Sequence, residues 1–196
     1  MRHGTRPAVR IATVEPPIVT RRATLEDLDA LLADVQSGFD SYTAFAPAGW
    51  QPPVVAADRE RTAARLADRG TWALLAIAHD VPVGHVAFFG ALDRCAEPPD
   101  SAWSAPALIA GLAHLWQLFV LPDWWGRGVA PLLHDAAIAQ MQAQGYERAR
   151  LWTPSRHGRA RRFYERRGWT VAGEEHNQEL SLMLTEYRHG LGGPSY

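Results

Sequence analysis

Between Leu115 and Leu133 the chain reads as strand, glycine loop and helix in series, and this order limits the fold more than any other feature. Leu115 to Leu121 is an apolar, aromatic and β-branched run of strand length. Pro122 ends it, because proline has no N–H for a sheet ladder. Gly126, Arg127, Gly128, Val129, Ala130 and Pro131 then lead into a helix whose Leu132, Leu133, Ala136, Ala137 and Met141 share one face. Gly126 and Gly128 accept positive φ and let backbone approach a ligand closely. Successive N–H groups in such a loop form a concave nest, and the helix behind adds its positive dipole end. The result is an anion socket, best suited to phosphate. Pro131 suits the first helical position and predicts an extended Ala130 before it.

This is not a P-loop, since no Gly-Lys-Ser/Thr closes it. It is not the dinucleotide fingerprint either, since the third glycine and a following acidic strand end are missing. Trp125-Gly126-Arg127-Gly128-Val129-Ala130 does resemble the end of the Gln/Arg-x-x-Gly-x-Gly/Ala motif of the GNAT superfamily of N-acetyltransferases. Val120-Leu121-Pro122 resembles that family's strand-ending Val-x-Pro. Ala160 to Trp169, reading Ala-Arg-Arg-Phe-Tyr-Glu-Arg-Arg-Gly-Trp, resembles its Ala-x-x-Phe-Tyr-Glu-x-x-Gly-Phe/Trp. The strand, Arg22-Ala23-Thr24 and helix that open the domain fit as well. The likeness runs over residues 18–188 and is densest from 112 to 173.

The resemblance implies direct transfer of an acetyl group from acetyl-CoA, as co-substrate, to a primary amine of a small molecule or peptide. Backbone N–H groups of Gly126, Arg127, Gly128, Val129 and Ala130 would hold the CoA pyrophosphate. The exposed backbone of Leu118, Phe119 and Val120 would pair with the pantetheine arm, and an N–H near Val120 would polarise the acetyl carbonyl. Leu151 to Thr153 would splay away to leave a slot. Tyr164 would be the general acid for the departing thiolate, a role that a phenol of pKa about 10 suits at neutral pH. His157 stands where the family has an asparagine that bonds pantetheine; it would donate that bond, contact phosphate when charged, or do nothing. Asp123 stands where the family has Gln or Arg, and a carboxylate there does not favour phosphate. Tyr42, Phe45 and Trp50 would border the acceptor cleft, suiting an apolar or cationic amine. The amine must lose a proton before attack; His114, Glu174, Glu175 and Asp40 are of the right type, and the sequence selects none.

The remaining segments predict an α+β fold of three-layer type, a mixed and twisted sheet of about seven strands flanked by about four helices. Strands are expected at Ile18–Arg22, Trp72–His79, Gly84–Leu92, Leu112–Leu121, Arg148–Thr153, Trp169–Ala172 and Gln178–Tyr187. Helices are expected from Leu25 to Ser37-Gly38, over Asp58–Ala67, from Val129 or Pro131 to Gln144, and over Arg159–Arg167. Residues 1–17 read as a loose tail, 18–188 as one domain and 189–196 as a second tail. The stretch 93–111 is long for a connection and reads as a flap or extra helix.

Composition trims the alternatives. A net charge of −1 provides no global basic field, so the six arginines between Arg156 and Arg167 read as a solvated helix face near the CoA 3′-phosphate, not a nucleic-acid surface. No run of about 18 apolar residues exists, so no membrane span is expected. The single cysteine, Cys95, excludes an internal disulfide framework and suits a cytoplasmic protein. No metal site is expected. A homodimer, common in the resembled family, is left open, and an idle acyl-CoA-binding module is the alternative to an enzyme.

Overall fold

The computed structural model describes residues 17–92 and 107–192. The N-terminal tail through residue 16, Cys95 with residues 93–106 of the expected flap, and residues 193–196 lie outside the described residues.

Strand β2 (Trp72–Ala78) is buried at every position, as expected of a strand covered on both faces. Its even-numbered residues join the main core with Leu133, Ala137 and Met141 of helix α3 (Val129–Ala143). Its odd-numbered Leu75 and Ile77 pack on Leu31 of helix α1 (Leu28–Ser41). The period-two alternation of a strand therefore feeds two cores, and the domain has three layers. The other elements are β1 (Val19–Arg22), α2 (Arg59–Ala67), β3 (Val81–Leu92), β4 (Leu108–Val120), β5 (Arg148–Pro154), α4 (Gly158–Glu165), β6 (Thr170–Asn177) and β7 (Leu182–Gly190). Sheet order is β1-β2-β3-β4-β5-β7-β6, antiparallel except for the parallel pair β4 and β5. No helix among the described residues is long and apolar enough to cross a membrane.

Two departures from the expected boundaries position the site. Helix α1 does not stop at Ser37-Gly38 but runs on to Ser41. Gly38 is interior, and the room a side chain would need is filled: a Cβ there would lie 2.1 Å from the Phe119 ring. Tyr42, expected in a loop, sits in the 3-10 turn Tyr42–Ala44 that continues the helix. At the glycine loop, Gly126 and Gly128 both take the left-handed conformation, with φ of 80° and 83°. Helix α3 begins directly at Val129, so Ala130 is helical and not extended. Pro131 is third in the helix, where its missing N–H still has no intrahelical partner.

Smaller differences follow from local chemistry. The β2–β3 turn sits at His79 and Asp80, both with positive φ as a two-residue hairpin requires, one step earlier than expected. Pro82 therefore lies inside β3, beside a register shift. Strand β4 begins at Leu108, so the end of the expected flap is sheet. Strand β6 runs on to Asn177, longer than expected, because it is paired along its length with β7; β7 begins at Leu182 and not at Gln178, since residues 178–181 form the turn between the two, and it runs on to Gly190.

Candidate active site

Strand β4 carries the site through an irregularity. Ala87 faces Gln117 but Phe88 faces Leu115, so Trp116 is the extra residue of a bulge. Pairing with β5 stops just before it, at His114 with Arg150. Beyond that point the two parallel strands diverge, as expected for Leu151 to Thr153. The Leu121 N–H donates to Val83 O of β3, so strand alternation turns the polar groups of Val120 and Leu118 to the other, unpaired edge. The Val120 carbonyl accepts from the Trp125 indole at 2.7 Å.

A cavity of about 490 Å³ fills this divergence. It is lined by Leu118, Phe119 and Val120 on one wall, by Gly126, Gly128, Val129 and Ala130 at the loop, and by His157, just before α4, and Tyr164 within it. These residues come from distant parts of the chain, and the structure brings them together. Arg127 is not in the lining; its N–H bonds Trp124 O at 3.4 Å and its guanidinium lies over the Trp124 ring. Asp123 also lies outside the lining, so the unfavourable carboxylate does not face the anion socket. Arg159, stacked 4.3 Å over Trp125, and Arg166 add positive charge to the wall. Two other arginines of this stretch are engaged: Arg161 donates to Tyr187 and Ser155, and Arg167, just beyond the helix, donates to Asp135.

Tyr164 is 7% exposed, and burial raises its phenol pKa, with a further push from Tyr42 across the cavity. Burial raises the Tyr42 phenol as well. Both hydroxyls therefore stay protonated at neutral pH. His157 is lowered to about 4 by burial, assisted by the Arg159 charge, so its ring is neutral at pH 7. That removes the charged-phosphate role. Its Nδ1 is buried with no hydrogen-bond partner, so the ring holds an unused polar atom at the wall.

The three aromatic residues expected at the acceptor cleft separate. Tyr42 lines the cavity, but Phe45 and Trp50 do not. Phe45 stacks on His157 at 4.8 Å, and the Trp50 indole donates to Leu180 O at 2.6 Å. Both pack the cluster around Leu182 and Leu184 and hold Tyr42 and His157 in place. Among the candidate bases, Glu174 is occupied by Thr185, and Asp40 by Gln36 within α1. His114 and Glu175 line a second cavity of about 220 Å³.

Sequence reasoning missed a buried chain of three polar side chains. Asp34 Oδ2 lies 2.5 Å from His85 Nδ1, and His85 Nε2 lies 3.1 Å from Gln117 Oε1. A histidine inside an otherwise apolar strand was the only signal. Among the described residues no three His, Cys, Asp or Glu side chains group as metal ligands.

Known proteins place this geometry. The open sheet and its helices superpose on a GCN5-related N-acetyltransferase from Rhodopseudomonas palustris with a TM-score of 0.66, at 22% identity, over 91% of this chain and 98% of that one. The PaiA N-acetyltransferase of Thermoplasma acidophilum, solved with coenzyme A, gives 0.63 at 17% identity, over 88% and 99%. The ribosomal-protein-S18-alanine N-acetyltransferase of Escherichia coli gives 0.63 at 12%, over 92% and 99%. No curated protein sequence matches. The model of the acetyltransferase (GNAT) family matches residues 35–169, more than half of the chain and all of the bulged strand, glycine loop and Tyr164 helix. The chain belongs to the GNAT family of acetyltransferases.

Proposed function

We propose that the protein transfers an acetyl group from acetyl-CoA to a primary amine in a ternary complex. The observation that carries this reading is the bulge-driven divergence of β4 from β5 beside a left-handed glycine loop. It leaves an unpaired strand edge leading from an anion socket to a buried phenol. The residues present fit the co-substrate. Val129 and Ala130, at the start of α3, have N–H groups without helical partners for the pyrophosphate. Arg159 and Arg166 face the same cavity. The edge at Leu118 and Val120 has no neighbouring strand, and although the Val120 carbonyl is taken by the Trp125 indole, its other polar groups accept an amide-bearing arm as an added strand. His157, neutral, supplies the hydrogen bond that asparagine supplies elsewhere in the family.

The acceptor nitrogen attacks the thioester carbonyl. A C–N bond forms, the C–S bond breaks, and the carbonyl oxygen is stabilised by a β4 backbone N–H. Tyr164 gives its proton to the departing sulfur, and the proton lost by nitrogen restores the phenol through solvent. The burial that makes Tyr164 a weaker acid also makes a thiolate formed beside it a stronger base, so the transfer stays matched.

Two experiments test this reading. Acetyl-CoA at a hundred times its Kd stabilises the fold by about 2.7 kcal/mol, and Gly128→Glu abolishes that thermal shift. Tyr164→Phe lowers kcat for thiol release by about 10²-fold or more, while Tyr42→Phe keeps most of it. No shift with millimolar acetyl-CoA would reject the proposal, and an unaffected Tyr164→Phe would reject the acid.

A further inference from the structure

One acceptor atom on the free edge of β4 is engaged by the protein's own side chain. The Leu121 N–H bonds Val83 O, so strand alternation turns the Val120 carbonyl away from β3, to the edge from which β5 has diverged. The Trp125 indole N–H donates to that oxygen at 2.7 Å. A donor to a carbonyl lies near the carbonyl plane. The ring therefore stands along the sheet edge, where an added strand would run. Trp125 lines the main cavity together with Val120.

The contact is held from two sides. Trp125 follows the 3-10 turn Pro122–Trp124, and its own N–H returns to Pro122 O at 3.1 Å. That turn aims the side chain back at the strand the chain has just left. The Arg159 guanidinium, in the first turn of α4, lies 4.3 Å over the indole and lines the same cavity. Yet the residue is 37% exposed, and a Cβ added at the neighbouring Gly126 would meet nothing within 4 Å. Side-chain rotation into that open space frees Val120 O without breaking a main-chain bond. One hydrogen bond and one exposed cation–π contact together are worth about tenfold to fiftyfold in an equilibrium constant. That keeps the ring in place, and it is small enough for a ligand with differential affinity to reverse.

We infer that Trp125 is a latch on the acetyl-CoA cavity, with its indole on the Val120 carbonyl until the amide-bearing arm displaces it. The inference rests on the acetyltransferase reading. On opening, Val120 O is released to an amide of the arm and Arg159 to the phosphates. Apparent affinity is then the intrinsic affinity reduced by the fraction of protein whose latch is open. A ligand with phosphates and no arm competes for Arg159 at most and leaves the indole bond in place.

The test uses the full chain, isotopically labelled at its eight tryptophans for NMR of the indole N–H groups. The signal lost in Trp125→Phe belongs to Trp125, and Trp125→Leu assigns it should the first variant fail to fold. Acetyl-CoA is expected to move this signal toward the free-indole position and to speed its exchange with water. ADP, which carries a pyrophosphate without the arm, leaves it unmoved. Calorimetry supplies the second readout. Trp125→Phe keeps a ring under Arg159 but lacks the donor, so it binds acetyl-CoA about threefold to tenfold tighter than wild type, with ADP affinity unchanged. An indole that stays bonded in the acetyl-CoA complex, or a Trp125→Phe protein that binds acetyl-CoA no tighter than wild type, overturns the latch and leaves the acetyltransferase reading standing. Absence of acetyl-CoA binding by both proteins at millimolar concentration overturns that reading and the latch with it.

Discussion

Gly84 is the position where one added carbon should disturb the site most directly. It lies on β3 opposite Val120, and a Cβ there would sit 2.7 Å from the Phe119 carbonyl oxygen and 3.1 Å from Val120 Cα. Ordinary contacts begin near ~3.5 Å, so the gap is short by roughly 0.8 Å, and the obstacle is backbone that cannot rotate away. The strands must separate around the Leu121 N–H to Val83 O bond, now 3.0 Å. Overpacking of this kind costs about 1–3 kcal/mol. Replacing a strand glycine recovers about 0.5–1 kcal/mol through the unfolded chain. The net loss is about 1–2 kcal/mol, a fall of about 3–6 °C in Tm for a chain of this length. Because the displaced segment is the one proposed to pair with acetyl-CoA, affinity for it should fall by about tenfold as well. Thermal melts and an acetyl-CoA titration of Gly84→Ala read both effects. Gly190→Ala is the control, since a Cβ there meets nothing within 4 Å. A Gly84→Ala protein that melts at or above wild type and binds acetyl-CoA equally well refutes the reasoning.

Other outcomes follow from the same geometry. Gly38→Ala drives a methyl into the Phe119 ring, which stands on the wall shared by the two cavities; helix propensity offsets part of the clash, so kcat/KM should fall more clearly than Tm does. His157 is held at about 4 by burial, below its unfolded value near 6.5. The unfolded chain therefore binds more protons between those values, and stability falls as pH drops through that window, by up to about 3 kcal/mol at pH 4. His157→Asn should flatten the fall in Tm from pH 7 to 4.5, and an unchanged slope would contradict it. Asp27 is lowered to about 2, first by its hydrogen bonds from Arg21. Its contribution is complete above about pH 4 and is lost as pH falls toward 2, so Arg21→Leu should bring acid unfolding to higher pH in denaturation curves.

The local elements of this protein are written in adjacent residues. Leu115 to Pro122 ends a strand, Gly126 and Gly128 turn the chain through positive φ, and the apolar positions from Leu132 to Met141 choose one helix face. Such signals depend on dihedral preference and on a period of two or 3.6, both visible within a few neighbours. Thr24 and Asp27, three residues apart, form a capping box by the same local logic. The glycine loop, the strand beside it and the Tyr164 helix, which the structure gathers around one cavity, were legible for this reason, because each lies in or next to a spaced motif.

What neighbours along the chain could not encode is who meets whom across the sheet. The bulge at Trp116 arises from pairing with β3, so no residue of β4 alone reveals it. Gly38 looked like a helix end, and only the Phe119 ring, 81 residues further on, shows why a glycine stays inside the helix. Phe45 and Trp50 looked like a cleft border but are held in packing by His157 and Leu180. Asp34, His85 and Gln117 became one hydrogen-bonded chain because α1, β3 and β4 happen to stack there, and burial makes each partner necessary to the next. Sequence alone thus determined the strand, the anion loop and the helix behind it, through local backbone preference. Tertiary structure decided the divergence of β4 from β5, the cavity that fills it and the buried chain of Asp34, His85 and Gln117, since these depend on contacts between segments far apart in sequence and on the water those contacts exclude.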